Sequence, residues 1–186
     1  LRGVRVGVIK LIETGVDKIA FDGEELLTCI KELNHEFKEL HVEDIVPITY
    51  KLPAAPFVAS KGSNLDLKKI DMAVEKLENL CDLLIIEGAG GLYVPIDEKY
   101  MMIDMITHFN AKALLVTHCS LGCINDTLLS KKALEDKKIS YAIAFNCKDN
   151  NESFALVSEP YFKQTGFEVL KVSENIDTIC DVLYND

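Results

Sequence analysis

The chain has few basic residues and no long hydrophobic run, and both absences exclude classes of partner. Twenty Lys and Arg stand against 30 Asp and Glu, which gives a formal net charge of −10 at pH 7. Such an acidic chain is unsuited to electrostatic binding of DNA, RNA or anionic lipids, so we predict no nucleic-acid and no membrane partner. No apolar run approaches the roughly 20 residues that a membrane-spanning helix needs.

Cysteine pairs of the C-x-x-C type are also missing, although the chain contains six cysteines. Such pairs are typical of zinc sites and of redox centres. Several of the cysteines lie beside apolar segments. We therefore predict buried free thiols, which persist in the reducing cytoplasm.

Length and periodicity indicate the fold class. A chain of 186 residues with 48% apolar residues can build a sizeable core, and we predict that residues 1–186 form one domain. Strand-like and helix-like segments alternate, which predicts an α/β fold with a doubly wound, mostly parallel sheet between helices. The predicted strands are Val4–Ile9, Leu83–Glu87, Ala113–Thr117, Tyr141–Phe145 and Glu168–Val172. The predicted helices are 22–37, 65–80, 100–109, 125–137, 152–163 and 175–184, and residues 47–56 are predicted to form an ordered loop and candidate lid.

The most informative segment is the apolar run that ends at Glu87 and continues into Gly88, Gly90 and Gly91. The run predicts a central strand covered on both faces, and open α/β sheets bind ligands at the carboxyl ends of such strands. Glycines allow backbone N–H groups to approach a ligand, so a carboxylate beside them suits a metal-bound phosphate. The alternative is a tight turn beside a solvated Glu87.

Two further charged residues could serve the same ligand. Lys10 closes the first strand, where its ammonium could neutralise a phosphoryl or carbamoyl oxygen; the alternative is a solvated surface lysine. Asp22 begins the next predicted helix and would supply a second carboxylate for magnesium. Its spacing to Glu25 also predicts a capping box, and capping alone could explain Asp22.

Polar residues also follow the third and fourth strands. Residues 120–125 lead into a helix whose N–H groups would bind an anion such as a substrate carboxylate; the alternative is an ordinary corner with Asn125 as N-cap. Asn146 ends the fourth strand, where its amide could contact a nucleotide base or simply form a turn. We expect these residues to share one sheet edge with Lys10 and Glu87, as an active-site crevice requires.

In combination these segments resemble the dethiobiotin synthetases, which are ATP-dependent ligases of biotin synthesis. The specific features are Glu87-Gly-Ala-Gly-Gly91 and Leu121-Gly-Cys-Ile-Asn125, with support from Lys10-Leu-Ile-Glu-Thr-Gly15, Asp22 and Phe145-Asn146. They occur in the family's order along roughly three quarters of the chain. The resemblance implies a P-loop-type doubly wound α/β fold and a homodimer with the substrate site at its interface.

The resemblance also implies a reaction and a set of roles. The family closes a cyclic urea from 7,8-diaminononanoate, CO₂ and ATP through a carbamate and a carbamic-phosphoric anhydride. Lys10 matches the catalytic lysine, and Thr14 matches a substrate-binding hydroxyl. Asp22 and Glu87 match the residues that bind Mg²⁺. The residues that match the nucleotide site are Asp22, Glu87, Gly88, Ala89, Gly90 and Asn146. Cys123, Ile124 and Asn125 match the loop that binds the substrate's carboxylate tail.

One motif of the family is not found in this chain. The family opens with a strand, a Gly-x-x-x-x-Gly-Lys-Thr phosphate loop and a helix, and that loop does not occur among the 186 residues. We therefore expect the chain to lack its native N-terminal strand, P-loop and first helix and to be almost inactive alone; a natural loss of the loop is the alternative. Leu11 replaces a usual proline, and Glu168–Val172 replaces a stretch that contacts adenine, which puts base specificity in doubt.

Two other functions stay open at this point. A relative of the cobyrinate amide synthases would share the strand-end glycines, but it would need a glutaminase domain or another ammonia source, for which 186 residues leave no room. A catalytically inactive binding or regulatory module would be stabilised by neither the diamine nor a nucleotide.

Overall fold

The computed structural model describes residues 3–148 and 151–184. Parallel strands alternate with helices along the chain, which confirms the predicted α/β class. The chain divides into two compact units, Leu1–Met102 and Ile103–Asp186, and each is described by itself. None of the helices in the described ranges is long and apolar enough to cross a membrane.

The first unit contains short strands and amphipathic helices. Its strands are β1 (Val6–Lys10), β2 (Ile12–Thr14), β3 (Ile48–Tyr50) and β4 (Leu83–Glu87). Its helices are α1 (Phe21–Leu33), α2 (Val42–Ile45), α3 (Pro56–Ala59) and α4 (Leu67–Glu78), with a 3₁₀ turn at His35–Phe37.

Backbone pairing brings two strand ends of this unit together. β1 and β4 are parallel, in a register that places Lys10 opposite Glu87. Helices α1 and α4 pack against β1 with residues that recur at helical spacing, among them the buried Leu27, Ile30 and Val74. The two charged residues are therefore held at the same edge by the sheet and by its helices.

Strand β4 is more exposed than its apolar sequence predicts. The side chain of Ile85 is 52% exposed. Within the described ranges, β4 pairs with β1 along one edge, and helix α4 packs against both strands. The prediction of a strand covered on both faces is therefore wrong at Ile85, whose side chain lies on a face of β4 that is only partly covered.

A second pair of parallel strands, β2 and β3, was not predicted from the sequence. Each strand has three residues, and the register places Thr14 opposite Tyr50. Residues 47–56 were expected to form a loop throughout, but they contain β3 and the first residue of α3. Strands this short carry too few residues to show a period of two, and flanking prolines conceal them further.

The second unit is built on a parallel sheet of order β5–β6–β7. Its strands are β5 (Ala113–His118), β6 (Tyr141–Asn146) and β7 (Leu170–Lys171). Helix α5 (Met102–His108) begins at the boundary of the unit, and α6 (Cys123–Asp136), α7 (Asn151–Val157), α8 (Glu159–Gln164) and α9 (Ile176–Tyr184) follow.

Aromatic side chains form much of the core of this unit. Phe145, Phe154 and Phe162 are fully buried, and the ring centroid of Phe145 lies 5.0 Å and 4.8 Å from those of the other two. One helix was predicted over residues 152–163, kinked or shortened by Pro160, but the segment forms two separate helices, α7 and α8. Pro160 lies in the first turn of α8, where its missing N–H group leaves no helical hydrogen bond unmade.

Candidate active site

The first unit brings three predicted site residues together around one ammonium group. Lys10 Nζ lies 2.7 Å from Asp22 Oδ2 and 2.7 Å from Glu87 Oε1. The Lys10 side chain is 7% exposed, whereas those of Asp22 and Glu87 are 58% and 44% exposed. A buried cation thus holds two accessible carboxylates, and Lys10 is not a solvated surface lysine.

The charge of Lys10 is stable at neutral pH. Burial lowers the pKa of its ammonium, but hydrogen bonds and charge attraction from Asp22 and Glu87 outweigh burial and leave the pKa above its ordinary value. The group therefore remains a cation that can neutralise a third negative group.

Asp22 is positioned differently from the prediction. Helix α1 begins at Phe21, its N-cap Ala20 makes no side-chain hydrogen bond, and Asp22 lies in the first turn. The N–H groups of Asp22 and Gly23 donate to the carboxylate of Glu13 at 3.1 Å and 3.0 Å. The predicted capping box with Glu25 is therefore wrong, because the capping oxygen atoms come from strand β2. Sequence reasoning missed Glu13, whose one signal is a charge directly after the apolar pair Leu11 and Ile12.

The turn after Glu87 requires glycine at Gly90. Its φ is +81°, and a Cβ atom there would lie 2.9 Å from Val94 Cγ2. A Cβ atom on Gly88 would lie 3.1 Å from Met102 Cγ, so this backbone also passes close to a side chain. The turn that follows the carboxylate of Glu87 is therefore compact, as expected for a loop whose backbone approaches a ligand.

Lys10, Asp22 and Glu87 are together called the Lys10 group. A cleft of about 400 Å³ lies beside it. Thr14, at the end of β2, lines it together with Lys10 and Asp22. The other lining residues on which the site depends are Glu13, Ala89, Gly90 and the segment Pro53–Pro56. The predicted catalytic lysine, one predicted metal carboxylate and the predicted substrate hydroxyl thus face a single space large enough for a small molecule.

In the second unit, the predicted anion-binding loop leads into helix α6. The helix begins at Cys123, and its N-cap Gly122 has a φ of +102°, so Asn125 lies in the first turn and is not the N-cap. Cys123 is fully buried against the phenylalanine cluster, whereas Asn125 is exposed. Any contact of this loop with a ligand therefore depends on backbone N–H groups and on the exposed side chains of the loop, and not on the side chain of Cys123.

Two of the six cysteines are not free thiols. Cys119 and Cys147 form a disulfide bond, with their Cα atoms 4.8 Å apart. Cys29, Cys81, Cys123 and Cys180 are free. The prediction of buried free thiols is therefore wrong for this pair, and burial is also wrong for Cys29 and Cys180, which are exposed; it is confirmed for Cys81 and Cys123. β5 and β6 end at His118 and Asn146 in matching register, and the next residue of each strand is a cysteine, so the sheet brings the two sulfur atoms together.

A polar cluster at the same strand ends was also missed by sequence reasoning. His118 Nδ1 lies 2.7 Å from Ser120 Oγ, and Nε2 lies 3.0 Å from Asp126 Oδ2. The hydrogen bond with His118 holds the pKa of Asp126 below its usual value. Asn146, the predicted adenine contact, is exposed opposite His118. The expectation that this strand end and the Lys10 group share one sheet edge stays a prediction.

Comparison with known proteins defines the class. The family model described as an AAA domain matches residues 1–181. With parallel strands, alternating helices and charged residues at strand ends, the match indicates a P-loop-type, nucleotide-dependent α/β protein.

Curated relatives identify the family within that class. An ATP-dependent dethiobiotin synthetase BioD of Sulfurovum sp. is 43% identical over 87% of this chain and 77% of the relative. The proteins of that name from Helicobacter pylori strain Shi470 and Methanocaldococcus jannaschii are both 33% identical, over 87% and 95% of this chain and 76% and 79% of their own lengths. The chain belongs to the dethiobiotin synthetase family of ATP-dependent ligases.

Proposed function

We propose that this protein is a dethiobiotin synthetase. It joins CO₂ to one amine of 7,8-diaminononanoate as a carbamate, which ATP phosphorylates to a carbamic-phosphoric anhydride. The second amine closes the cyclic urea, and ADP and phosphate leave. The observation that carries the proposal is the position of Lys10 Nζ, 2.7 Å from carboxylate oxygens of both Asp22 and Glu87.

Lys10 stabilises the charge that develops during the reaction. An ammonium group donates three hydrogen bonds, and Asp22 and Glu87 accept two of them. The third is available for an oxygen of the carbamate or of the transferred phosphoryl group, where a fixed cation is most effective in a site that excludes water. Thr14, in the same cleft, contacts the diamine.

Asp22 and Glu87 fit the role of magnesium ligands. Both are oxygen donors with accessible carboxylates, and Mg²⁺ prefers one or two such groups together with water and phosphate oxygens. No cluster of three or more His, Cys, Asp or Glu that could hold a metal occurs in the described part of the chain. When bound, the ion neutralises phosphate charge.

We assign the nucleotide and the substrate's carboxylate tail to other segments of the chain. The turn Gly88–Gly90 contacts the phosphates, and Asn146 contacts the adenine. The substrate's tail binds at the start of α6, where Ile124 and Asn125 offer first-turn N–H groups and Cys123 anchors the helix in the core. This loop belongs to the partner protomer of a homodimer. We place the reaction in the cytoplasm, where ATP is available.

Phosphate release tests the proposal directly. The protein expressed from its complete gene should release phosphate only when the diamine, bicarbonate, Mg²⁺ and ATP are all present. Lys10→Met should lower kcat about 10²- to 10³-fold, the effect of losing one group that stabilises developing charge. Lys18→Met, a change of an exposed lysine nearby, is the matched control and should leave kcat unchanged. Phosphate release that continues without the diamine would contradict the proposal.

A further inference from the structure

Glu13 is a buried carboxylate to which the proposed reaction gives no role. It lies in the middle of β2 and is 5% exposed. An ionised carboxylate without hydrogen-bond partners costs several kcal/mol when it leaves water. Its burial beside the candidate active site therefore indicates a structural partner that compensates for the lost hydration.

That partner is the beginning of helix α1. Glu13 Oε1 accepts a hydrogen bond from the N–H of Asp22 at 3.1 Å, and Oε2 accepts one from Gly23 at 3.0 Å. Ala20, the N-cap of the helix, has no side-chain oxygen, so Glu13 replaces the usual cap from a neighbouring strand. The negative charge also lies at the positive end of the helix dipole.

Close packing keeps the helix start against Glu13. A Cβ atom on Gly23 would lie 2.4 Å from Val46 Cγ2 and 3.3 Å from Glu13 Oε2. The first overlap is too short for real atoms, so a larger residue would displace the first turn of α1. Glycine at this position thus lets the backbone come within hydrogen-bonding distance of Glu13.

The contacts of Glu13 lead directly to the charged group of the site. Asp22 is held by its backbone N–H to Glu13 and by its side chain to Lys10, and Lys10 also contacts Glu87. The two oxygens of Glu13 each accept an N–H group of α1, so we do not count this carboxylate among the metal ligands. It instead determines how the first turn of α1 presents Asp22.

We propose that Glu13 is a positioning residue, which caps helix α1 so that the Asp22 carboxylate faces the divalent cation of the nucleotide. The inference rests on the proposed function, since it assumes that Asp22 and Glu87 bind that cation. Residues that orient metal ligands without touching the metal commonly contribute about 10- to 100-fold to metal affinity.

Binding of Mn²⁺ in the presence of ADP, followed by electron paramagnetic resonance, tests the proposal. In the protein from the complete gene, Glu13→Gln should weaken Mn²⁺ binding about tenfold, since an amide cannot accept two N–H groups with both of its terminal atoms. Glu24→Gln is the matched control: it removes an acidic charge from the same helical turn, at an exposed side chain, and should leave the affinity unchanged.

A double-mutant cycle separates positioning from a general loss of stability. In an Asp22→Asn background, Glu13→Gln should cause no further loss of Mn²⁺ affinity. Equal losses in both backgrounds, or no loss in either, would overturn the role of Glu13. If neither Asp22→Asn nor Glu87→Gln weakens Mn²⁺ binding, the proposed metal site itself is wrong.

A second variant covers the case in which Glu13→Gln does not fold. Glu13→Asp keeps the charge but shortens the side chain by one methylene group, so it cannot hold both N–H groups at their present distances. We expect about tenfold weaker Mn²⁺ binding for this variant as well. Undiminished affinity in Glu13→Asp would overturn the proposal.

Discussion

Two opposing effects on the pKa of Lys10 determine how the candidate site responds to pH. Burial lowers the pKa, and Asp22 and Glu87 raise it to a value above that of an ordinary lysine. The stabilisation that this pairing provides is complete below the ordinary lysine pKa of about 10.4 and is lost as the pH rises through the folded-state pKa. Between pH 6 and 9, changes in activity should therefore arise from groups other than Lys10.

Gly90 provides a test of the turn that follows Glu87. Gly90→Ala should lower the free energy of unfolding by about 1–3 kcal/mol, because φ is +81° and the new Cβ would lie 2.9 Å from Val94 Cγ2. Urea unfolding measures the change.

The neighbouring glycine is the control for this prediction. A Cβ atom on Gly91 would meet no atom within 4 Å, and the φ of Gly91 is not positive. Gly91→Ala should therefore leave the unfolding free energy within about 0.5 kcal/mol of the original value. Equal losses in the two variants would show that the conformation of Gly90 is not the cause.

In the first unit, the length of an element decided whether the sequence could predict it. Helices α1 and α4, with 13 and 12 residues, show a clear apolar stripe and lie within one to four residues of the predicted ends at each terminus. β2, β3 and α2 have three or four residues each and show no period. The cap of α1 was missed for another reason: Glu13 acts across nine residues of chain, so no local pattern contains it.

The bond between Cys119 and Cys147 could not be predicted because it depends on sheet register. The two residues are 28 positions apart, and only the pairing of His118 with Asn146 brings them together. The same dependence applies to Lys10 and Glu87, whose proximity follows from the register of β1 and β4. For that pair, the position of both residues at strand ends was a sufficient signal.

Reduction of this disulfide should loosen the end of the β5–β6 pair. A bond that closes a loop of 28 residues contributes about 3.6 kcal/mol in the chain-entropy model. Dithiothreitol should therefore lower the unfolding free energy of the protein by about that amount, and it should have no effect on a Cys119→Ser/Cys147→Ser variant. Urea unfolding with and without the reductant measures both.

Thiol titration in denaturant checks the bond itself. Four thiols should react before reduction and six after it, in agreement with the four free cysteines and the six cysteines of the chain. Six reactive thiols in protein prepared without reductant would show that the bond does not form.

For the whole molecule, the strongest remaining signal is apolar surface on an otherwise acidic chain. Leu121, just before α6, is 89% exposed, and Leu129 on that helix is 63% exposed. The net charge of −10 opposes association, so a dimer needs an apolar contact to form. Exposed leucines beside the loop proposed to bind the substrate's tail agree with a substrate site shared between protomers.

Leu129→Glu should convert the proposed dimer into a monomer. Each residue of a two-fold interface occurs twice, so the change removes two apolar contacts and introduces two like charges. Light scattering should show the loss of the dimer, and KM for the diamine should rise, since its tail would lose the partner's N–H groups. Leu156→Glu, a change at a leucine on α7 that is 81% exposed, is the control and should preserve both the dimer and KM. A monomer before any substitution, with full activity, would contradict the shared site.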